Sequence, residues 1–149
     1  MSLLAKLNSI CSPAVRVLEW LQPVFVLGVR LYVANVFFKS GLTKIANMDS
    51  TILLFTYEYQ VPLLSPTLAA YLGTAAELVL PVLLVLGLGG RLAAAALFAF
   101  NIVAVISYPD LNEVGLMQHQ YWGVLLLIPL LYGPGKLSID HFIQRRFSK

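Results

Sequence analysis

Arg30, Glu77 and Asn101 are the residues of this sequence best suited to chemistry, because each stands alone in a long apolar stretch. A cation, a carboxylate and an amide in hydrocarbon surroundings need partners, and ionisable groups in such segments mark binding or proton-transfer sites by default. If the apolar stretches are helices crossing a bilayer, Arg30 falls at the midpoint of the first. Glu77 then lies one residue from the centre of the second, and Asn101 at the centre of the third. Helical rise puts Arg30 and Glu77 about 15 Å and about 14 Å from the outer ends of their helices, so an ion pair between them is expected. Pairing offsets the ~2.5 to 3.5 kcal/mol that either group costs alone at the bilayer centre. Pro81 removes the amide that would bond the Glu77 carbonyl, and a bent, polar pocket is expected there. Two readings of the cluster stand side by side. The pair fixes helix register with Asn101 bridging helices, or the three groups bind a polar headgroup or move a proton.

Other chemistries have less support. Cys11 is the only cysteine, which excludes an intrachain disulfide, a CxxC redox pair and a cysteine-rich metal site. His119 and His141 fall at opposite ends of the expected bundle, so one haem cannot bridge them within a chain. Met117, His119 and Met48 are soft ligands suited to copper, with interface packing as the plain alternative, and no metal site is assigned. Gly87, Gly89 and Gly90 follow an apolar helix rather than a strand, which makes them turn residues and not a phosphate-cradling loop.

The elements that must position these groups follow from composition. Of 149 residues, 59% are hydrophobic and 11% charged, against about a quarter charged in soluble domains, and the mean hydropathy is +0.82. Uninterrupted apolar length gives four spans, at about 21–40, 68–88, 92–108 and 117–134, the last stopped by Gly133, Pro134 and Gly135. An all-α integral membrane four-helix bundle results, one domain over 1–149, with no room for a separate soluble catalytic domain. Gly73, Ala76, Ala95 and Ala99 supply small surfaces for close helix approach. Residues 13–21 are expected along the membrane interface, and a short helix capped by Asp49 or Ser50 is expected on the outer face, ending near Pro62.

Basic residues set the orientation. Lys6, Arg16, Arg91, Lys136, Arg145, Arg146 and Lys149 fall on one side, and only Lys39 and Lys44 on the other. The positive-inside rule then puts both termini in the cytoplasm, and no cleavable signal is apparent. A net charge of +3 and a pI near 9.1 do not imply nucleic acid, since the basic residues form no dense stripe with interleaved aromatics. The tail 136–149 pairs apolar and basic residues, suiting anionic lipid or a docked partner.

Several ordered pieces resemble the DoxX family of small four-helix bacterial membrane proteins, from Arg30 to Asp140. Arg30 with FFKSGLTK resembles the first-helix pattern and supplies Gly41 and Lys44. Glu77 with LGLGGRLAAAAL resembles the acidic second helix and its glycine-arginine turn at Arg91. WGVLLLIPLLYGPGKLSID resembles the last helix and terminal signature, giving Trp122, Gly133, Gly135, Ser138 and Asp140. The resemblance implies a multi-pass protein of the bacterial cytoplasmic (inner) membrane, often tied to quinone-linked or thiol-linked redox systems.

Residues and resemblance together point to an accessory or subunit of a membrane redox system. A quinone-like ligand is expected near Arg30, Glu77 and Asn101, oriented by Tyr71 or Tyr32, with electrons handled by a soluble or membrane redox partner. Two other classes stand beside it: a noncatalytic scaffold or maturation partner recruiting a soluble enzyme through its tail, and a small-solute permease.

Overall fold

The computed structural model describes residues 3–147, with side-chain surroundings from residue 12 onward. Lys149 and the side chains of Lys6 and Cys11 lie outside the described residues. Those described form six helices and no strand: α1 (Leu3–Ala46), α2 (Met48–Tyr57), α3 (Pro66–Leu86), α4 (Gly90–Ser107), α5 (Glu113–Tyr132) and α6 (Ile139–Phe147). Four of them, α1 over Ser12–Ala46 and all of α3, α4 and α5, are long and apolar enough to cross a membrane. They run alternately up and down. The start of α1 and α6 therefore share one end of the bundle, and α2 sits at the far end.

Local sequence explains the boundaries. Asn47 caps α2 by accepting from the Ser50 amide, so Asp49 lies in the first helical turn and neither it nor Ser50 is the cap. Ser65 caps α3 ahead of Pro66, whose missing amide is harmless in a first turn. Asn112 caps α5 through the Gly115 amide. Gly87 and Gly89, at φ 62° and 56°, make the left-handed turn between α3 and α4 that a side chain would oppose.

The first span is longer than its apolar core suggested. Instead of ending at residue 40 with a separate interfacial segment before it, α1 is one helix of 44 residues with Pro13 and Pro23 inside it. It is about 66 Å long at the standard rise, twice the ~30 Å hydrocarbon core. Lys39 and Lys44 thus belong to the helix rather than to a loop.

Val33, Ala34 and Phe37 of α1 pack with Leu84 of α3, Ala93, Ala94 and Leu97 of α4, and Leu126 of α5 in the main core. Between lipid-solvated helices this packing works through close contact rather than expulsion of water. Gly41 shows it: a Cβ there would stand 3.0 Å from the Cβ of Glu77, so glycine sets how near α1 comes to α3. A second cluster, Phe55 of α2 with Ala69 and Ala70 of α3, seats α2 against the bundle.

Candidate functional site

The antiparallel register of α1 and α3 decides which polar groups meet. Arg30 lies against the Gly87 turn at the end of α3, while Gly41 lies against Glu77, ten residues earlier. At the helical rise those levels are about 15 Å apart. Arg30 and Glu77 therefore do not pair, and the expected ion pair is corrected in both members. The midpoint of an apolar run is not the midpoint of packing when one helix outruns the membrane.

Glu77 pairs instead with Lys44. The ammonium lies 2.8 Å and 2.7 Å from the two carboxylate oxygens and donates to Ser40 Oγ at 2.8 Å, while Ser40 Oγ donates to Glu77 Oε1 at 3.2 Å. Ser40 and Lys44 are four residues apart and share one face of α1. Exposure of the two charged side chains is only 13% and 8%. Thr51 of α2 donates to the Lys44 carbonyl at 2.9 Å, and the Gln60 amide donates to the Ser107 carbonyl at 2.7 Å. These bonds draw α2 and its following loop over the pair as a cap.

Two adjoining cavities open on this ion pair, of about 250 Å³ and about 220 Å³, and Lys44, Glu77, Tyr59, Phe100 and Ala104 line both. The larger is also walled by Phe55, Leu72, Gly73 and Val103, a mostly apolar lining whose polar residues are Lys44, Glu77, Tyr59 and Ser107. Ser107 Oγ is buried and has no hydrogen-bond partner among the described residues. The smaller cavity is lined by Ser40, Tyr108, His119 and Trp122. Tyr59 stacks on Phe55 at 4.7 Å and lies 5.0 Å from the Tyr108 ring. Burial, then the charge of Glu77, pushes the Tyr59 hydroxyl above the usual tyrosine range; Glu58, whose carboxylate accepts from Tyr108 at 3.3 Å, chiefly does the same for Tyr108.

Asn101 serves this site indirectly. Its Nδ2 donates to the His119 carbonyl at 2.9 Å, which turns its Oδ1 toward His119 Nδ1 at 2.7 Å. The hydrogen between them must then sit on Nδ1, leaving Nε2 as the acceptor of neutral His119. The ring rests edge-on against Trp122 at 4.8 Å. Asn101 is thus a positioning residue for a histidine in the cavity wall.

The remaining expected residues fall elsewhere. Tyr32 and Tyr71 are half exposed, and Tyr32 meets the Tyr121 ring at 6.1 Å; neither lines these cavities. Arg30 is fully buried at the opposite end, where its Nη2 donates to the Leu137 carbonyl. Beside it, Asp140 accepts from the Gly89 and Gly90 amides at 2.8 Å each and returns its own amide to the Gly87 carbonyl at 3.0 Å. Ser138 donates to the Gly135 carbonyl at 2.6 Å. This clasp joins the α3–α4 turn to the root of α6. The sequence reading missed Ser40, Tyr59, Tyr108 and Ser107, and considered His119 only as a metal or haem ligand; the Ser40 to Lys44 spacing was the one local signal available.

A family model for DoxX matches residues 25–109. The chain belongs to the DoxX family. It is accordingly a multi-pass membrane protein. The matched DoxX segment holds Arg30, Gly41, Lys44, Glu77, Arg91 and Asn101 and ends before α5. Trp122, Gly133, Gly135, Ser138 and Asp140 lie beyond the match, with Asp140 tied to it by its bonds to Gly89 and Gly90. Comparison with curated proteins and with solved structures gave no match.

Proposed function

We propose that this DoxX-family protein is a membrane subunit of a redox system that binds a quinone-like ring beneath α2, in the cavity walled by Lys44, Glu77 and Ser107. One observation carries the reading: a buried ion pair and an unpartnered buried hydroxyl share the wall of an apolar, aromatic-rimmed cavity. A space of about 250 Å³ suits a single substituted ring, since an engineered apolar cavity of about 150 Å³ already holds benzene. A quinone, when bound, supplies two-electron chemistry with uptake of two protons at its two carbonyl oxygens. Ser107 offers a hydroxyl hydrogen to one such oxygen. Lys44 has three hydrogens shared among Glu77 and Ser40, and can redirect one to an acceptor while keeping contact with the carboxylate. Glu77 holds or releases the proton, and the polar residues of the smaller cavity, Ser40, His119, Tyr59 and Tyr108, lead toward the α2 end. A chain with one cysteine has no dithiol of its own, so electrons come from a partner protein.

The basic asymmetry further supports termini in the cytoplasm of a bacterial cell and the cavity in the outer half of the membrane. Organic extraction of the purified protein followed by mass spectrometry tests the reading. Quinone at near-stoichiometric yield from the parent, and reduced yield from Ser107→Ala and Glu77→Gln, is expected. Folded protein that retains none, or variants that retain as much as the parent, would remove the proposal.

A further inference from the structure

A cavity of about 500 Å³, larger than either of those beneath α2, lies at the other end of the bundle, and the redox reading makes no use of it. α1 contributes Pro23 and Val26, the first turn of α4 contributes Arg91 and Leu92, the α5–α6 connection contributes Lys136, and α6 contributes His141. Charge is distributed unevenly around it. Among the described residues Asp140 is the only carboxylate in the wall, and its two oxygens accept from the Gly89 and Gly90 amides at 2.8 Å. Neither Arg91 nor Lys136 forms an ion pair among the described residues. Behind Ser138, Arg30 is fully buried with Nε and Nη1 unpartnered among the described residues, adding a further fixed positive charge. With Arg91 and Lys136 set against the single Asp140 carboxylate, and Arg30 behind, the cavity presents a net positive charge to whatever enters it.

Its position narrows the occupant. Leu92 and Tyr132 border it and are 78% and 77% exposed, which places the mouth where the apolar belt of the bundle ends. Next to it, α6 exposes Phe142, Ile143 and Phe147, which share a face at helical spacing, while Arg145 and Arg146 stand in its last turn. A short helix of that pattern lies in a membrane interface rather than in water. A free anion would use the cations but leave Val26, Pro23 and Leu92 without a counterpart. A zwitterionic headgroup would bring an ammonium beside Arg91 and Lys136.

We propose that this cavity binds the phosphodiester headgroup of an anionic phospholipid from the leaflet on the side of the termini, between Arg91 and Lys136, with α6 resting in the same interface. The Asp140 bonds that clasp the α3–α4 turn to α6, and the Arg30 bond that ties α1 to the Leu137 carbonyl, hold the backbones of the two basic residues in place. The site is independent of the Lys44 and Glu77 cavity, so either proposal can fail without the other.

Purified full-length protein in non-ionic detergent, titrated with short-chain phosphatidylglycerol and read by native mass spectrometry, tests it. Short-chain phosphatidylcholine and inorganic phosphate form parallel arms. One saturable phosphatidylglycerol site is expected, at least about tenfold tighter than phosphatidylcholine and not displaced by equimolar phosphate. Loss of both basic groups in Arg91→Gln/Lys136→Gln should weaken it about 30-fold, and Lys136→Gln alone about fivefold, with helical content unchanged. Equal binding of the two lipids, displacement by phosphate, or variants that bind like the parent would overturn the proposal.

Discussion

Removing one partner of the Lys44 and Glu77 pair should cost far more than removing both. The two groups meet at 2.7 Å and 2.8 Å with side chains 13% and 8% exposed, so solvent screens them little. Lys44→Met leaves a carboxylate whose only other partner is Ser40 at 3.2 Å, and Glu77→Gln leaves an ammonium with Ser40 and an amide. Breaking a buried pair in this way costs about 3–5 kcal/mol per single variant. Lys44→Met/Glu77→Gln leaves no unpaired charge, and replacing a buried pair by neutral groups is often close to neutral. The double variant should therefore lie well above the sum of the singles, with a coupling of several kcal/mol against the ~0.3–0.5 kcal/mol scatter of independent sites. Reversible unfolding in mixed micelles supplies the four stabilities. A parallel cycle on Arg30→Gln and Glu77→Gln should be additive, because about 15 Å of helix separates those levels. Additivity for Lys44 with Glu77, or coupling for Arg30 with Glu77, would refute the register on which the site is built.

Three further outcomes follow from other contacts. Gly87→Ala adds a Cβ that runs into Arg30 Nη1 and Ser138 Cβ as well as opposing φ 62°, whereas at Gly89, φ 56°, nothing lies within 4 Å; the first should cost about 1–3 kcal/mol more than the second, and equal unfolding midpoints would contradict the clasp. Burial and Glu77 hold the Tyr59 proton above the usual range, so the stability that this proton confers is intact below about pH 10 and falls as pH rises through the raised value. Tyr59→Phe should lose less stability than the parent across that alkaline window, and identical pH profiles in the unfolding assay would disprove the burial of that hydroxyl. With the termini in the cytoplasm, single cysteines at 47 and 112 in a cysteine-free background should react with an impermeant reagent on intact cells and one at 144 should not, and the opposite pattern would invert the orientation.

The four spans were legible in the sequence because uninterrupted apolar length is a local property that lipid enforces. Their ends at Pro66, Gly90 and Tyr132 carry local signals of capping or turn chemistry. The real length of α1 was not legible, since Pro13 reads as the start of a separate helix and the apolar run ends at Ser40, while the helix runs through both. That one misreading displaced the site. With α1 taken as residues 21–40, Arg30 becomes a midpoint and Glu77 its natural partner; with α1 running to Ala46, Lys44 reaches Glu77 past the close approach at Gly41. Asn101 was singled out correctly as buried, but its work on His119 depends on α4 lying against α5, which no local pattern reports. Tyr59 and Ser107 enter only because α2 folds back onto α3. The partner of Arg30 is a backbone carbonyl, that of Leu137, and backbone acceptors leave no trace in residue types.

The central claim, a ring-binding site beneath α2, is tested most directly through Trp122. This indole lines the smaller cavity beside His119, whereas the other tryptophan, Trp20, is 74% exposed on the long first helix. In a Trp20→Phe background in nanodiscs, a short-chain quinone should quench Trp122 along a saturable curve, because a bound ring sits within the cavities that open on Glu77. Ser107→Ala and Glu77→Gln should each shift that curve to higher concentration, Asp110→Asn should not, and a separate Trp122→Phe variant that keeps Trp20 should report only the linear quenching of quinone dissolved in lipid. Linear, unsaturable quenching of Trp122 in folded protein, or a curve that Glu77→Gln and Ser107→Ala leave in place, would contradict the account.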